Sequence, residues 1–362
     1  MADALLHVGE LDGTDQRATL RPERFNRHTF WCGQSGSGKT YALGVVLEEL
    51  LLRTELPLVI IDPNADFVRL GETRDGVDAN VAAELSSRDI RVLRPSHLRG
   101  DPLHARFATM LPQSKAAVLR LDPIIDRIEY NAFLHLSETG ATADTRALVA
   151  ELSDSIDPGQ RGIAQRTENL GVLDWQVWSG GNPPASEIIE QRPDATVLDI
   201  GGFAHAEESL TLVLSVLDDL WSRREERRPV LLVIDEAHNV CSPDLTGTLA
   251  VAVRERIIQI AAEGRKYGLW MLLSTQRPSK VHPGVISQCD NLGVMKMTSP
   301  TDLDELASVF GFVPREQLAL ASQFTQGQAL LVGGFSSENG VVRMRQRFTH
   351  EGGADVRVPI RT

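Results

Sequence analysis

HTFWCGQSGSGKTYALGVVLEELLLRT, residues 28–54, decides the fold. A short apolar run, HTFWC (28–32), enters a glycine-rich turn, and YALGVVLEELLLRT (41–54) then has the spacing of a largely buried helix. Between them GQSGSGKT (33–40) matches GxxxxGK[ST] in full. Gly33, Gly36 and Gly38 permit the turn in which successive backbone N–H groups wrap a polyphosphate. Ser35 and Ser37 belong to the same loop, and the following helix offers its positive N-terminal end to the same charge. Lys39 would reach the β and γ oxygens as a point charge, and the Thr40 hydroxyl can ligate magnesium. A strand before and a helix after distinguish this loop from a flexible linker that merely contains a lysine.

Working outward, the runs LPLVIID (56–62), DIRVLRP (89–95), ATVLDI (195–200), PVLLVID (229–235), LWMLLST (269–275) and NLGVMKM (291–297) read as further strands. Continuous apolar strands separated by helical patterns imply a parallel sheet covered on both faces, a doubly wound α/β fold. QALLVGGF (328–335) and GVVRMRQRF (340–348) read as a closing antiparallel pair around SSEN. From about 100 to 194 no convincing strand is found. SKAAVLRLDPIIDRIEYNAFLHL (114–136) and TADTRALVAELSDSI (142–156) carry helical spacing instead. The expected organisation is residues 1–99 as the first part of the core, 100–194 as a helical insertion, and 195–362 as the rest of the core.

Composition narrows the class. The 362 residues are 42% apolar and 24% charged, as in ordinary globular proteins, with a formal net charge of -12. An acidic chain is not one coated in basic surface for wrapping nucleic acid, although a small patch such as a pore stays open to it. The longest apolar runs fall far short of the ~20 residues of a spanning helix. Acids stand where a signal peptide has basic residues, and Cys32, Cys241 and Cys289 form no CxxC pair. A cytoplasmic protein with no membrane contact is the expectation.

PVLLVIDEAHNV (229–240) is an apolar strand ending in adjacent acids. Asp235 is placed to hold the magnesium shell and Glu236 to polarise a water for in-line attack on the γ-phosphate. His238 reads as a supporting histidine. The strand LWMLLST delivers Gln276 to the carboxyl edge of the sheet, where it could sense the γ-phosphate or simply begin the turn before Pro278. Arg265 stands just before that strand. It is either an arginine finger for a neighbouring subunit or a surface charge at a helix C-terminus. Arg343, Arg345 and Arg347 share one face of the last strand, which reads as a solvated, charge-protected edge, with covering the nucleotide or lining a subunit contact as the alternatives.

Taken in order, RHTFWCGQSGSGKTY (27–41), VIIDPNADF (59–67), ATVLDIGGF (195–203), VLLVIDEAHNV (230–240), EGRKYGLWMLLSTQRPS (263–279) and SQCDN (287–291) resemble the HerA/FtsK superfamily of ring ATPases, and HerA-like helicase/translocases in particular. The resemblance spans roughly 25–100 and 194–348. It implies a RecA-like P-loop core, ATP and magnesium as cofactors, and a hexameric ring with sites between subunits. It carries nucleotide binding onto Lys39 and Thr40, magnesium onto Asp235, the base onto Glu236, the sensor onto Gln276 and the finger onto Arg265. Two departures stand out. The family's DxxGE-like stretch is here Asp62-Pro63-Asn64-Ala65-Asp66, with a shorter acid at 66. Only about 25 residues precede the core, so the N-terminal β-barrel of HerA proper is expected to be absent.

These readings converge on an ATP-hydrolysing ring motor that translocates or remodels DNA through a central pore. The alternatives are a nucleotide-gated assembly partner that regulates a nuclease or defence effector, and a conjugation- or secretion-type ATPase.

Overall fold

The computed structural model describes residues 5–136 and 145–353. The chain opens with β1 (Leu6–Leu11), β2 (Arg17–Leu20) and β3 (His28–Cys32), then α1 (Lys39–Arg53), β4 (Leu58–Asp62), α2 (Ala79–Ser86), β5 (Ile90–Arg94) and a two-residue β6 (Asp101–Pro102). Helices α3 (Pro112–Val118), α4 (Arg127–Leu134), α5 (Thr145–Ser153), α6 (Pro158–Leu170) and α7 (Ala185–Glu190) follow. The chain then re-enters the sheet through β7 (Ala195–Asp199), α8 (Ala206–Ser222), β8 (Val230–Ile234), α9 (Thr248–Glu263) and β9 (Leu269–Thr275). It closes with α10 (Pro283–Ile286), β10 (Cys289–Met295), α11 (Pro300–Val309), α12 (Arg315–Ala319), β11 (Gln328–Gly333) and β12 (Gly340–Met344).

All the strands join one 12-stranded sheet in the order β2-β1-β12-β11-β10-β3-β9-β8-β4-β7-β5-β6. From β10 to β6 every neighbouring pair is parallel, and from β10 back to β2 every pair is antiparallel. Every residue of β3, β4, β7 and β8 is buried, which is why these strands read as unbroken apolar runs. One apolar layer contains α1 with β1 and β2, and the other contains α8, α9 and the helices between β6 and β7. Close packing constrains even the sheet interior: Gly293 on β10 faces Trp31 on β3, where a Cβ would stand 2.5 Å from the indole.

Several expectations are corrected. The residues before β3 are two strands that extend the same sheet through β12, a pairing invisible to local pattern. The 100–194 stretch holds the short β6, and the helical run of 114–136 breaks into α3 and α4 at Asp122, whose carboxylate accepts the Ile124 and Ile125 N–H groups. Of the run 142–156, residues 142–144 lie outside the described residues. The last strand is not an edge, because β12 sits between β11 and β1. Beyond Met344 the chain leaves the strand, and Arg345 and Arg347 turn inward onto buried Glu48 and Glu49 of α1. Only Arg343, which pairs with Asp12, keeps the solvated position expected of all three.

Candidate nucleotide site

β3, β9 and β8 are consecutive in the sheet and parallel, so their carboxyl ends share one edge. Strands ~4.8 Å apart put the end of β8 about 10 Å from that of β3, within reach of a lysine crossing the end of β9. The P-loop is pinned there: Gly33 N–H donates to the Thr275 carbonyl and Gln34 N–H to that of Lys296. Gly36 and Gly38 adopt φ of 76° and 86°, the left-handed region that favours glycine. Gly33 is needed for another reason, since a Cβ there would lie 2.7 Å from the Ser37 hydroxyl. Ser35 is exposed at the tip, Ser37 is buried, and Thr40 is half-buried in the first turn of α1.

Lys39 is only 4% exposed. Its Nζ donates to Asp235 Oδ1 at 2.7 Å and to Ser274 Oγ at 2.8 Å, and lies 3.1 Å from Glu236 Oε1. Burial would weaken its positive charge, but the two carboxylates outweigh this and hold its pKa above the usual value. Gln276 Nε2 donates to Glu236 Oε1 at 2.8 Å. His238 Nδ1 lies 3.2 Å from Glu236 Oε2 and 3.0 Å from Thr275 Oγ1. Burial alone would raise the Glu236 carboxyl, but His238, Lys39 and Gln276 together bring it down to about 2. The residue therefore stays an anion, as a water-activating base must. Its backbone sits at φ 46°, a conformation that costs a non-glycine residue about 1–3 kcal/mol and is held here by the surrounding contacts.

The loop after β4 lies within electrostatic reach of the Lys39–Asp235 pair. Asp62 Oδ1 accepts the Asn64 and Asp66 N–H groups and Oδ2 that of Phe67. Burial pushes Asp62 up to about 7 against those bonds. Burial and then the Asp235 charge push Asp66 up to about 6, with Lys39 opposing. Asp66 is thus in the electrostatic reach of the Lys39–Asp235 pair even though it is a shorter acid.

The structure therefore brings together Lys39, Asp235, Glu236 and Gln276 with the loop residues Gly33, Ser35, Gly36, Ser37, Gly38 and Thr40. Arg265 is elsewhere, at the amino end of β9 on the opposite edge of the sheet. There it bonds Asp290 at 2.7 Å, and Arg27 approaches the same carboxylate at 3.8 Å. The two arginines, with Lys266 and Trp270, line an open cleft of about 430 Å³. His238 takes the supporting position expected of it, whereas Ser274 was missed in the sequence. A serine near the end of a buried strand carries no pattern of its own, although its place two residues before Gln276 on β9 could have drawn attention.

Whether magnesium suits this site can be judged from the oxygen atoms present. Asp235 Oδ2 is buried with no hydrogen-bond partner, and so is Ser37 Oγ. A hard cation takes oxygen ligands, and the free carboxylate oxygen and the Thr40 hydroxyl at the start of α1 fit that requirement.

Residues 6–177 match the family model described as the central domain of helicase HerA. The chain is 30% identical to the DNA double-strand break repair helicase HerA of Sulfolobus acidocaldarius over 91% of its own length and 66% of that protein. It therefore spans about two thirds of that relative. Among solved structures, VirB4 of Thermoanaerobacter pseudethanolicus superimposes with a TM-score of 0.61 at 14% identity, covering 94% of this chain and 96% of that one. The plasmid coupling protein TrwB in complex with ADP and Mg2+ gives 0.60 at 16% identity over 92% and 89%. These two likenesses establish a shared fold, a RecA-like P-loop core.

Proposed function

The chain belongs to the HerA-like family of P-loop ATPases, and from that premise we propose a motor that hydrolyses ATP between the subunits of a ring and moves DNA through its centre. Lys39 and the loop N–H groups bind the triphosphate. Thr40 and Asp235 would hold magnesium, which supplies charge neutralisation of the phosphates when bound. Glu236, kept ionised, accepts a proton from the attacking water, and Gln276, bonded to Glu236, reports whether the γ-phosphate is in place. The observation that carries the ring is the position of Arg265. It lies at the opposite sheet edge from its own P-loop, so as a finger it would serve a neighbour's nucleotide, with Arg27 beside it on Asp290. Six subunits, a DNA pore and a cytoplasmic location are parts of this proposal. Among the described residues no helix is long and apolar enough to cross a membrane.

Subunit mixing tests it. Arg265→Ala and Glu236→Gln proteins should each be inactive, and a mixture should regain hydrolysis because one interface then holds an intact base and an intact finger. No recovery in a mixture that assembles would refute a finger in trans. DNA-stimulated hydrolysis, weakening steeply with salt, tests the polymer.

A second reading, a nucleotide-gated partner of a nuclease or another effector, is favoured by one feature. In the connections between the helices that lie between β6 and β7, Ile124 and Ile125 (between α3 and α4) and Ile156 (between α5 and α6) are 83%, 82% and 95% exposed. So much exposed apolar surface marks contact sites more often than inert surface. Hydrolysis indifferent to DNA but altered by a co-purifying protein would support this reading over the motor.

A further inference from the structure

The segment after β12 is stitched to both elements that frame the nucleotide site. On the α1 side, Glu48 is fully buried and accepts the N–H groups of Phe348 and Thr349, the Thr349 hydroxyl and Arg345 Nη1. Tyr41, two residues beyond Lys39, accepts the Arg347 N–H at 2.7 Å. On the other side, Arg74 N–H donates to the Phe348 carbonyl, His350 N–H to that of Glu72, and Gly352 N–H to that of Asp66. The segment therefore ties the helix of the phosphate loop to the loop that follows β4.

Arg347 lies at the centre of this seam. Its side chain fills the notch left by Gly44, where a Cβ would stand 2.5 Å from Nε, and its guanidinium lies 5.6 Å from the ring of Phe67, the neighbour of Asp66. Nε bonds the Thr349 hydroxyl, yet Nη1 and Nη2 are buried with no partner. A buried guanidinium with two unmade hydrogen bonds is costly and calls for a partner. The carboxylate of Asp66 accepts no hydrogen bond from the described residues. It is drawn toward Lys39 and Arg347 and repelled by Asp235 and Glu351.

We propose that Asp66 and Arg347 are the two halves of a bidentate ion pair that closes when nucleotide binds and so locks the segment 345–353 against the nucleotide site. The driving force is electrostatic. Binding draws Lys39 onto the phosphates, and a triphosphate brings more negative charge than one magnesium ion neutralises. Asp66, already repelled by Asp235, is then pushed from the site, and Arg347, whose charge already attracts it, offers two unused N–H groups able to take both its oxygens. Neither residue touches the reacting phosphates. Both are positioning residues that transmit occupancy of the site to the end of the chain and to the antiparallel side of the sheet.

The inference rests on nucleotide binding at the P-loop, so binding and response are measured together. Hydrogen exchange of amides 345–353 would be followed in the full chain, alone and with ATPγS and magnesium, alongside a direct binding measurement. Wild-type protein should gain about tenfold protection there on binding, the scale of a hydrogen bond to a charged group. Asp66→Asn and Arg347→Gln should bind nucleotide and lose that gain, and the double variant should lose no more than either. Arg347→Lys, which keeps the charge without the fork, should recover only part of it. Asp66→Asn leaves the buried arginine and Glu48 in place, so it tests the pair even if Arg347→Gln does not fold. Binding with an unchanged segment, or an Asp66→Asn protein that keeps the full response, overturns the pair. Absence of binding overturns the nucleotide reading itself and the pair with it.

Discussion

Acidification should destabilise this protein through one residue at the foot of β3. His28 is fully buried, with Nε2 3.0 Å from the Ala261 carbonyl and Nδ1 accepting the Met271 N–H at 3.0 Å. That pair of contacts requires a neutral ring with its proton on Nε2, because a second proton on Nδ1 would face the Met271 donor. Burial first, then the charge of Arg265, bring its pKa down from 6.5 to about 4, with the Ala261 carbonyl opposing and Arg27 adding a smaller push. Above pH 6.5 the ring is neutral in both folded and unfolded chains, and the full stability is present. As pH falls below 6.5 the unfolded chain takes up the proton first, so stability is lost progressively and the loss levels off below pH 4. The full gap of about 2.5 pH units corresponds to about 3 kcal/mol, most of it, about 2.5 kcal/mol, realised by pH 4.5.

Other groups also titrate in this range, so the perturbation is compared with a variant. His28→Gln keeps a donor and an acceptor but cannot be protonated. Urea unfolding of both proteins at pH 7.5, 6.5, 5.5 and 4.5 would give the difference in stability at each pH. Wild type should be the more stable at pH 7.5, and its advantage should shrink by about 2.5 kcal/mol by pH 4.5. A difference that stays constant to within 0.5 kcal/mol (roughly the scatter between independent measurements) would refute a buried neutral histidine.

Lys39→Ala should abolish nucleotide binding by equilibrium titration, whereas Glu236→Gln should bind normally and hydrolyse about 10²-fold or more slowly in a phosphate-release assay; an active Glu236→Gln enzyme would sink the base assignment. Glu48→Gln leaves Arg347 buried without its counter-charge and Arg345 with Glu49 alone, and should cost about 3–5 kcal/mol in urea unfolding. Gly44→Ala forces a methyl group against the Arg347 guanidinium, and should cost about 1–3 kcal/mol by the same measurement.

The parallel part of the sheet was legible because strands buried on both faces leave unbroken apolar runs, and each of the runs around 58–62, 195–199 and 230–234 became a strand. Asp235 and Glu236 were legible because adjacent acids at the end of such a strand are unusual without a ligand to hold. β1 and β2 were not, since LHVGEL and RATL acquire a reason to be strands only from β12. Arg345 and Arg347 were misread for a similar cause: a period of two places side chains on a face but does not say what that face meets. Beyond Met344 the chain leaves β12, and these two arginines meet Glu48 and Glu49 on α1, roughly 300 residues away in the chain and adjacent only after folding.

By itself, then, the sequence determined the loop that can cradle a polyphosphate, the order of strands and helices, and which acids end the strands, because backbone conformation and periodicity are local properties. Only the tertiary structure decided that β9 lies between β3 and β8, so that Ser274 and Gln276 join Lys39, Asp235 and Glu236. It also placed Arg265 at the far edge, and left Arg347 buried within electrostatic reach of Asp66 with Nη1 and Nη2 unused. These are pairings between distant segments, set by sheet order and by what each buried charge meets, and no local pattern encodes them.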